Sequence, residues 1–146
     1  MEAISWLGDQ PQMFLLISFF IFVLLFLKLR REAFILALNS VGIYVLGNLI
    51  KLFVQRPRPP FSLLHDWSFP SGHVLSFVAC FGFLAYLIYK SSGHFFFRKI
   101  FFTILIGLII LIGPSRIYLG NHWISDVLGA YLIGGVWLFL TIKLYS

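Results

Sequence analysis

Residues 51–73 read KLFVQRPRPPFSLLHDWSFPSGH, and they separate two long apolar runs. The prolines at positions 57, 59 and 60 stop the first run from continuing as a helix, because proline lacks an amide hydrogen and clashes with the preceding turn. The apolar run that follows begins at residue 74, just after Ser71, a residue type that favours the start of a helix. The stretch therefore predicts two helices joined by a polar segment that carries cations and histidines.

The composition of the chain places these helices in a membrane. Of the 146 residues, 60% are hydrophobic and 11% are charged, and the mean hydropathy is +0.97. An average globular domain carries about 25% charged residues. The sequence therefore predicts an integral membrane protein with one domain over residues 1–146. The net charge of +6 does not indicate nucleic-acid binding, because the cations fall in short clusters between apolar runs.

Apolar runs separated by short polar breaks predict an all-α, polytopic transmembrane bundle of about five spans. The runs extend over residues 13–27, 33–53, 74–89, 100–112 and 123–144. The first and fourth runs are short against the roughly 20 residues that a membrane-crossing helix needs. Small residues inside the runs are expected to permit close helix contacts. These residues are Gly42, Gly47, Gly107, Gly129, Ala130 and Gly134.

The cations between the runs predict the orientation of the bundle. Cytoplasmic loops of membrane proteins are enriched in Lys and Arg, so the first and third breaks are expected to face the cytoplasm. Their cations, with one near the C-terminus, are Lys28, Arg30, Arg31, Lys90, Arg98, Lys99 and Lys143. Alternating spans then bring the second and fourth breaks together on the extracytoplasmic face. The unusual polar residues of the chain all fall on that face.

Lys51 and Arg58 form the first candidate phosphate-binding pair. The irregular segment between them can fold Arg58 back beside Lys51. Arginine presents a planar fork of donors that suits phosphate oxygens, and lysine presents a compact charge on a flexible stem. The alternative is that these side chains extend towards lipid headgroups, and this is the favoured interpretation for Arg56.

The second candidate site is Pro70-Ser71-Gly72-His73, at the start of the third run. The first backbone amides of a helix have no partner within the helix, and the helix dipole favours an anion near them. Gly72 removes the side chain that would block a close backbone approach. An ordinary N-cap with an exposed His73 is the alternative.

His122 and Asp126 form the third candidate site, four residues apart and thus on one face of a helix. A carboxylate that accepts a hydrogen bond from one imidazole nitrogen leaves the other nitrogen available as a nucleophile or base. Arg116 lies upstream in the same polar break. A structural polar pair is the alternative. Zinc is disfavoured, because several cations surround the histidines and no second carboxylate or cysteine is placed to help.

Together these motifs resemble those of the type 2 phosphatidic acid phosphatase (PAP2) superfamily, membrane phosphatases that share an active-site pattern with vanadium haloperoxidases. The family signatures are a Lys separated by six residues from Arg-Pro, then Pro-Ser-Gly-His, then Ser-Arg with five residues before His and three more before Asp. They match Lys51, Arg58 and Pro59; Pro70, Ser71, Gly72 and His73; and Ser115, Arg116, His122 and Asp126. The family usually has six spans, so its first span is expected to be absent here or to lie upstream.

The resemblance implies a role for each matched residue. His122 would attack phosphorus to form a phosphohistidine, Asp126 would orient it, and His73 would protonate the leaving group. Phosphate oxygens would be held by Lys51, Arg58, Ser71, Gly72 and Arg116. The implied enzyme needs no metal or other cofactor.

The resemblance also implies a lipid phosphate substrate within a bacterial cell membrane. Undecaprenyl diphosphate, phosphatidylglycerol phosphate and phosphatidic acid are the expected candidates, and a polyprenyl diphosphate is favoured because the chain has no large soluble domain at the external site. A catalytically silent lipid-phosphate-binding protein of the same fold is the alternative, but the intact histidines argue against it. A vanadate-dependent haloperoxidase is disfavoured by the hydropathy of the chain.

Overall fold

The protein is a bundle of helices, seen here in a computed structural model that describes residues 10–62, 64–92 and 94–146. Within these ranges the helices are α1 (Gln10–Phe26), α2 (Arg30–Val54), α3 (Gly72–Lys90), α4 (Phe95–Tyr118) and α5 (Ile124–Tyr145). The described residues contain no strand, so the predicted all-α fold is confirmed. By length and apolar composition, α2, α3, α4 and α5 can each cross a membrane, whereas α1 is a shorter apolar helix of 17 residues.

The fourth helix is longer than the sequence predicted, because α4 continues through Pro114 to Tyr118. Proline lacks the amide hydrogen that would bond to the carbonyl four residues earlier, which here belongs to Ile110. The Tyr131 hydroxyl of α5 lies 3.0 Å from the Ile110 carbonyl oxygen and 2.7 Å from that of Ile109. This hydroxyl replaces the missing donor, so the helix persists where the sequence suggested a break.

The centre of the bundle is α3, whose middle turn, Phe77–Phe81, is π-helical. A π-helical turn disrupts the regular hydrogen-bond ladder. The buried Asn39 of α2 donates from Nδ2 to the Ala79 carbonyl oxygen at 2.9 Å. Its Oδ1 accepts hydrogen bonds from Trp137 Nε1 at 2.9 Å and from Thr141 Oγ1 at 3.1 Å. Asn39 therefore joins α2, α3 and α5 through polar contacts inside an apolar core.

Small residues allow several of the close helix contacts that the sequence predicted. Gly42 packs directly against the Trp137 indole, and a Cβ atom at Gly134 would lie 3.0 Å from Val78 Cβ. The prediction is wrong for Gly107, because no atom of another described helix lies within 4 Å of the position that its Cβ would take. That glycine faces open space on α4 and brings no helix closer.

The helix directions place the three candidate motifs at one end of the bundle. α2 ends there with Gln55 in a left-handed conformation (φ 48°), and its amide donates to the Lys51 carbonyl oxygen at 3.0 Å. The opposite end holds a separate polar cluster, in which Tyr145 donates to Glu32 at 2.8 Å and Arg31 donates to the Tyr145 carbonyl at 2.6 Å. The phosphate-site candidates and the cations predicted to face the cytoplasm are thus segregated.

Candidate active site

His122 lies in the short loop between α4 and α5, and it is 4% exposed. Its Nε2 atom is 3.1 Å from Arg58 Nη1, and its Nδ1 atom is 3.6 Å from Asp126 Oδ2. A guanidinium group can only donate hydrogen bonds, so Nε2 must be the accepting nitrogen. The ring proton is therefore assigned to Nδ1, beside the carboxylate, and the Nε2 lone pair faces the cations.

The surroundings of His122 keep its imidazole neutral. Burial is the main cause, and the positive charges of Arg58, Arg116 and Lys51 add to it, so the pKa of His122 falls to about 3. A neutral imidazole keeps the lone pair that a nucleophile or base needs. The site therefore holds an uncharged histidine among positive side chains.

Asp126 is fully buried in the first turn of α5. Its Oδ2 atom accepts a hydrogen bond from the Trp123 amide at 2.9 Å, and its Oδ1 atom accepts one from Arg56 Nη1 at 2.8 Å. The 3.6 Å separation from His122 is too long for the direct hydrogen bond that the sequence predicted. Catalytic contacts are often long before substrate binds, so this separation is compatible with a bond that tightens later.

Lys51 and Arg58 converge, and both contact the loop residue Asp66. Lys51 Nζ is 2.5 Å from Asp66 Oδ2, while Arg58 Nη2 and Nε are 2.7 and 2.9 Å from Asp66 Oδ1. Partial burial alone would raise the pKa of Asp66, but the two cations outweigh it and lower the pKa below its usual value. An ionised carboxylate thus bridges the two cations that were expected to hold phosphate.

The start of α3 presents backbone and hydroxyl groups at the same end of the bundle. Ser71 occupies the N-cap position, but its side chain makes no capping hydrogen bond, and its buried Oγ has no hydrogen-bond partner among the described residues. Its amide donates instead to the Asp126 backbone carbonyl at 3.3 Å, which ties α3 to α5. The backbone of Gly72 is open, since no described atom outside its own chain neighbours and helix backbone lies within 4 Å of the position that its Cβ would take.

Arg116 lies in the last turn of α4 and is 2% exposed, so its predicted place in the polar break is wrong. Helix α4 continues past Pro114, so Arg116 is helical. The preceding Ser115 donates to the Ile112 carbonyl at 2.7 Å and is buried inside the helix packing. Arg116 is therefore presented from a helix rather than from a loop.

One cavity of about 1020 Å³ connects these groups to the apolar interior. Its polar end is lined by Lys51, Arg58, His73, Arg116 and His122. Its apolar part follows α1, α2 and α3, with side chains that include Met13, Ile17, Ile43 and Leu75. Among the residues that the structure describes, no three His, Cys, Asp or Glu side chains cluster so that they could hold a metal ion. The cationic end of the cavity suits an anion, and the apolar part suits a hydrocarbon chain.

Sequence reasoning missed two residues of this site. Asp66 was not assigned a role, yet it contacts both Lys51 and Arg58. Arg56 was interpreted as a headgroup contact, yet it bonds to Asp126 and to Ser125 Oγ at 2.6 Å. The Arg-Pro-Arg spacing marks both arginines as notable, but no pattern along the chain specifies which acid each one meets.

Comparisons with known proteins agree on one family. The sequence model of the PAP2 superfamily matches residues 32–146. Phosphatidylglycerophosphatase B of Bacillus subtilis is 36% identical over 100 residues, which cover 66% of this chain and 49% of that protein. Undecaprenyl-diphosphatase of Sulfolobus acidocaldarius is 29% identical over 135 residues, which cover 85% of this chain and 60% of that protein. The chain thus spans about half to three fifths of the length of these curated relatives.

A solved structure shares the fold. The crystal structure of the transmembrane PAP2-type phosphatidylglycerolphosphate phosphatase from Bacillus subtilis superposes with a TM-score of 0.84 at 29% identity. The match covers 98% of this chain and 73% of the solved one. The apolar helices and this match identify an integral membrane protein.

Proposed function

The chain belongs to the PAP2 superfamily, and from this premise we propose that it is a membrane lipid phosphatase that hydrolyses a phosphomonoester or diphosphate headgroup. The observation that carries the proposal is a continuous cavity that joins the cationic surroundings of His122 to an apolar groove between helices. Such a cavity has the two chemistries of a lipid phosphate, an anionic headgroup and a hydrocarbon tail.

The headgroup would bind where the Asp66 carboxylate now lies. Carboxylate and phosphate oxygens make the same charge-assisted hydrogen bonds with lysine and arginine. The 2.5 and 2.7 Å contacts of Asp66 with Lys51 and Arg58 therefore support an anion at this position. Arg116, the buried Ser71 hydroxyl and the Gly72 backbone would contact the remaining oxygens. Fixed donors of this kind stabilise the charge on a phosphoryl group during its transfer.

In the first chemical step, Nε2 of His122 attacks phosphorus while the bond from phosphorus to the leaving oxygen breaks. Arg58 must leave Nε2 for this attack, because its hydrogen bond occupies the lone pair. His73 donates a proton to the leaving oxygen, which departs as a lipid alcohol or a lipid monophosphate. The product is a phosphohistidine whose positive ring is balanced by Asp126.

The second step returns the enzyme to its starting state. His73, now neutral, takes a proton from a water molecule as the water oxygen attacks phosphorus. The bond from phosphorus to Nε2 of His122 breaks, and inorganic phosphate is released. Each histidine regains its original protonation, so the cycle is complete without a further reactant.

The substrate tail would enter sideways from the bilayer between helices. The apolar part of the cavity is formed by α1, α2 and α3, and one isoprenoid or acyl chain would lie along it. Undecaprenyl diphosphate, phosphatidylglycerol phosphate and phosphatidic acid all combine such a chain with a phosphate that reaches the cationic end. By the positive-inside rule, the cations at the opposite end of the bundle support an active site on the extracytoplasmic face.

The test is phosphate release by purified protein from a panel of these three lipids, with EDTA present. The parent is expected to release phosphate from at least one lipid, and EDTA is expected to leave the rate unchanged. His122→Ala and His73→Ala should each abolish most of the activity, whereas His94→Ala should be neutral because His94 lies at the other end of the bundle. A parent that is inactive on every lipid would favour the silent lipid-binding alternative. Loss of activity with EDTA would refute the metal-independent mechanism.

A further inference from the structure

Arg56 and Arg58 flank the proposed nucleophile from opposite sides, although they are only two residues apart. Arg58 reaches the Nε2 side of His122, at 3.1 Å, and also donates to the Asn121 carbonyl at 2.7 Å. Arg56 reaches Asp126, which lies on the Nδ1 side of the same ring. Substrate would bind on the Nε2 side of the His122 ring, whereas Asp126 and Arg56 lie on the Nδ1 side, away from the substrate.

The contact of Arg56 with Asp126 addresses a severe electrostatic problem. The Asp126 side chain is fully buried, and burying a carboxylate away from water costs several kcal/mol unless a cation or hydrogen-bond donors compensate it. The adjacent His122 is neutral in the resting state, so it does not supply the compensating charge. Arg56 Nη1 supplies that charge at 2.8 Å, while the Trp123 amide occupies the other carboxylate oxygen.

Several contacts fix the position of Arg56 itself. Its carbonyl oxygen accepts a hydrogen bond from the Ser68 amide at 2.8 Å, and its guanidinium lies 5.6 Å from the centre of the Trp123 ring. Trp123 Nε1 donates to the Pro57 carbonyl at 3.0 Å. The neighbouring Ser125 hydroxyl, 2.6 Å from Nη1, orients the same guanidinium. An arginine that extended towards lipid headgroups would not need this set of partners.

We propose that Arg56 is a positioning residue for the reaction, which pairs with the Asp126 carboxylate and holds it aimed at His122 Nδ1. This inference rests on the proposed function, since its catalytic value lies in supporting the positive ring of the phosphohistidine. Arg56 acts through Asp126 and does not touch the substrate. It is therefore distinct from Lys51, Arg58 and Arg116, which would bind phosphate oxygens.

The test is a double-mutant cycle between Arg56→Gln and Asp126→Asn, measured as phosphate release from the preferred lipid. Loss of a charge-assisted hydrogen bond predicts that Arg56→Gln lowers kcat about 10- to 100-fold and changes KM by less than about twofold. In the Asp126→Asn background the same substitution should change kcat by less than about threefold, since the carboxylate is already gone. Arg56→Lys should recover part of the loss, because an ammonium group can still pair with Asp126.

Two outcomes would overturn the inference. One is a rise in KM with unchanged kcat, which would make Arg56 a headgroup contact. The other is an equal loss of kcat in both backgrounds, which would show that Arg56 acts independently of Asp126. Arg98→Gln is the matched control, because Arg98 lies at the opposite end of the bundle and donates to the Ser91 carbonyl at 2.7 Å. It should leave both kinetic constants unchanged.

A stability measurement separates this inference from the proposed function. If the parent releases no phosphate from any lipid, the proposed activity fails, but the pairing of Arg56 with Asp126 remains testable by thermal unfolding in detergent. Arg56→Gln should lower the unfolding midpoint by about 4 °C or more. The shift should be less than half as large in the Asp126→Asn background. Equal shifts in the two backgrounds would refute the pairing.

Discussion

Replacing Asp66 by asparagine should make the protein bind phosphate more tightly. The carboxylate of Asp66 forms ion pairs with Lys51 and Arg58, so a substrate phosphate would have to displace this carboxylate before binding to the two cations. Asp66→Asn keeps the shape of the side chain and removes its charge. Under the proposed function, Asp66 acts as a tethered competitor, and its neutralisation lowers the KM for lipid phosphate.

The exposure of the ion pairs sets the size of the effect. The Asp66 side chain is 55% exposed, although those of Lys51 and Arg58 are 16% and 7% exposed, so solvent screens both contacts. Exposed ion pairs contribute about 0.2–1 kcal/mol each, and two of them contribute about 0.4–2 kcal/mol. At about 1.4 kcal/mol per factor of ten, KM should fall about 2- to 30-fold.

The assay is phosphate release from a short-chain lipid phosphate in detergent micelles, with orthophosphate as a product inhibitor. Asp66→Asn should lower KM and the inhibition constant of orthophosphate by similar factors, because both anions compete with the same carboxylate. His65→Gln is the matched control, since His65 is the exposed neighbour of Asp66 in the same loop. A rise in both constants would refute the reasoning, since it would mean that Asp66 holds the two cations in their binding positions.

Three further predictions concern the core, the orientation and the pH dependence. Asn39→Ala should lower the free energy of unfolding by about 2 kcal/mol, because each of its three interhelical hydrogen bonds contributes about 0.6 kcal/mol. The control Asn48→Ala, at an exposed position, should have little effect in the same denaturant titration. Equal losses for the two variants would contradict the prediction. In the His65→Cys variant, the new thiol should react with an impermeant maleimide added outside intact cells. In the His94→Cys variant, the new thiol should react only after the cells are lysed. The reverse pattern would mean that the proposed orientation is inverted. The pKa of His122 is lowered to about 3, so this proposed nucleophile should stay neutral from pH 8 down to pH 5. The pH profile of kcat/KM should therefore show no acidic limb near the usual histidine value of about 6.5. Such a limb would refute the proposed role of His122.

The sequence predicted the bundle well because its signals are local. Apolar runs identify helices wherever they occur, and the prolines after α2 end that helix whatever its neighbours are. The error in α4 arose because the partner of the helix lies elsewhere in the chain. The apolar run ends at residue 112, but the helix continues through Pro114 because Tyr131, 17 residues later in the sequence, supplies a hydroxyl to the freed carbonyl.

The residues of the candidate site were predictable to different degrees for the same reason. The four-residue spacing of His122 and Asp126 brings them close without knowledge of the tertiary fold. The predicted shared helix face is wrong, however, because α5 begins at Ile124 and His122 lies in the loop before it. The partners of Arg56 and Arg58 depend on the path of an irregular loop, which neither hydrophobic periodicity nor helix capping specifies. Arg56 meets an acid 70 positions away, and no local pattern could have indicated that contact.

The first helix contributes to the cavity from outside the residues that match the family. The family match begins at residue 32, yet Met13, Phe14 and Ile17 of α1 form part of the apolar wall. In a lipid phosphatase, changes on this helix would alter the length and shape of the tails that fit without touching a group that contacts phosphorus. Part of the tail selectivity would then be encoded on a helix that carries none of the proposed phosphate-binding residues, so lipid preference could diverge among relatives while the reaction stays the same.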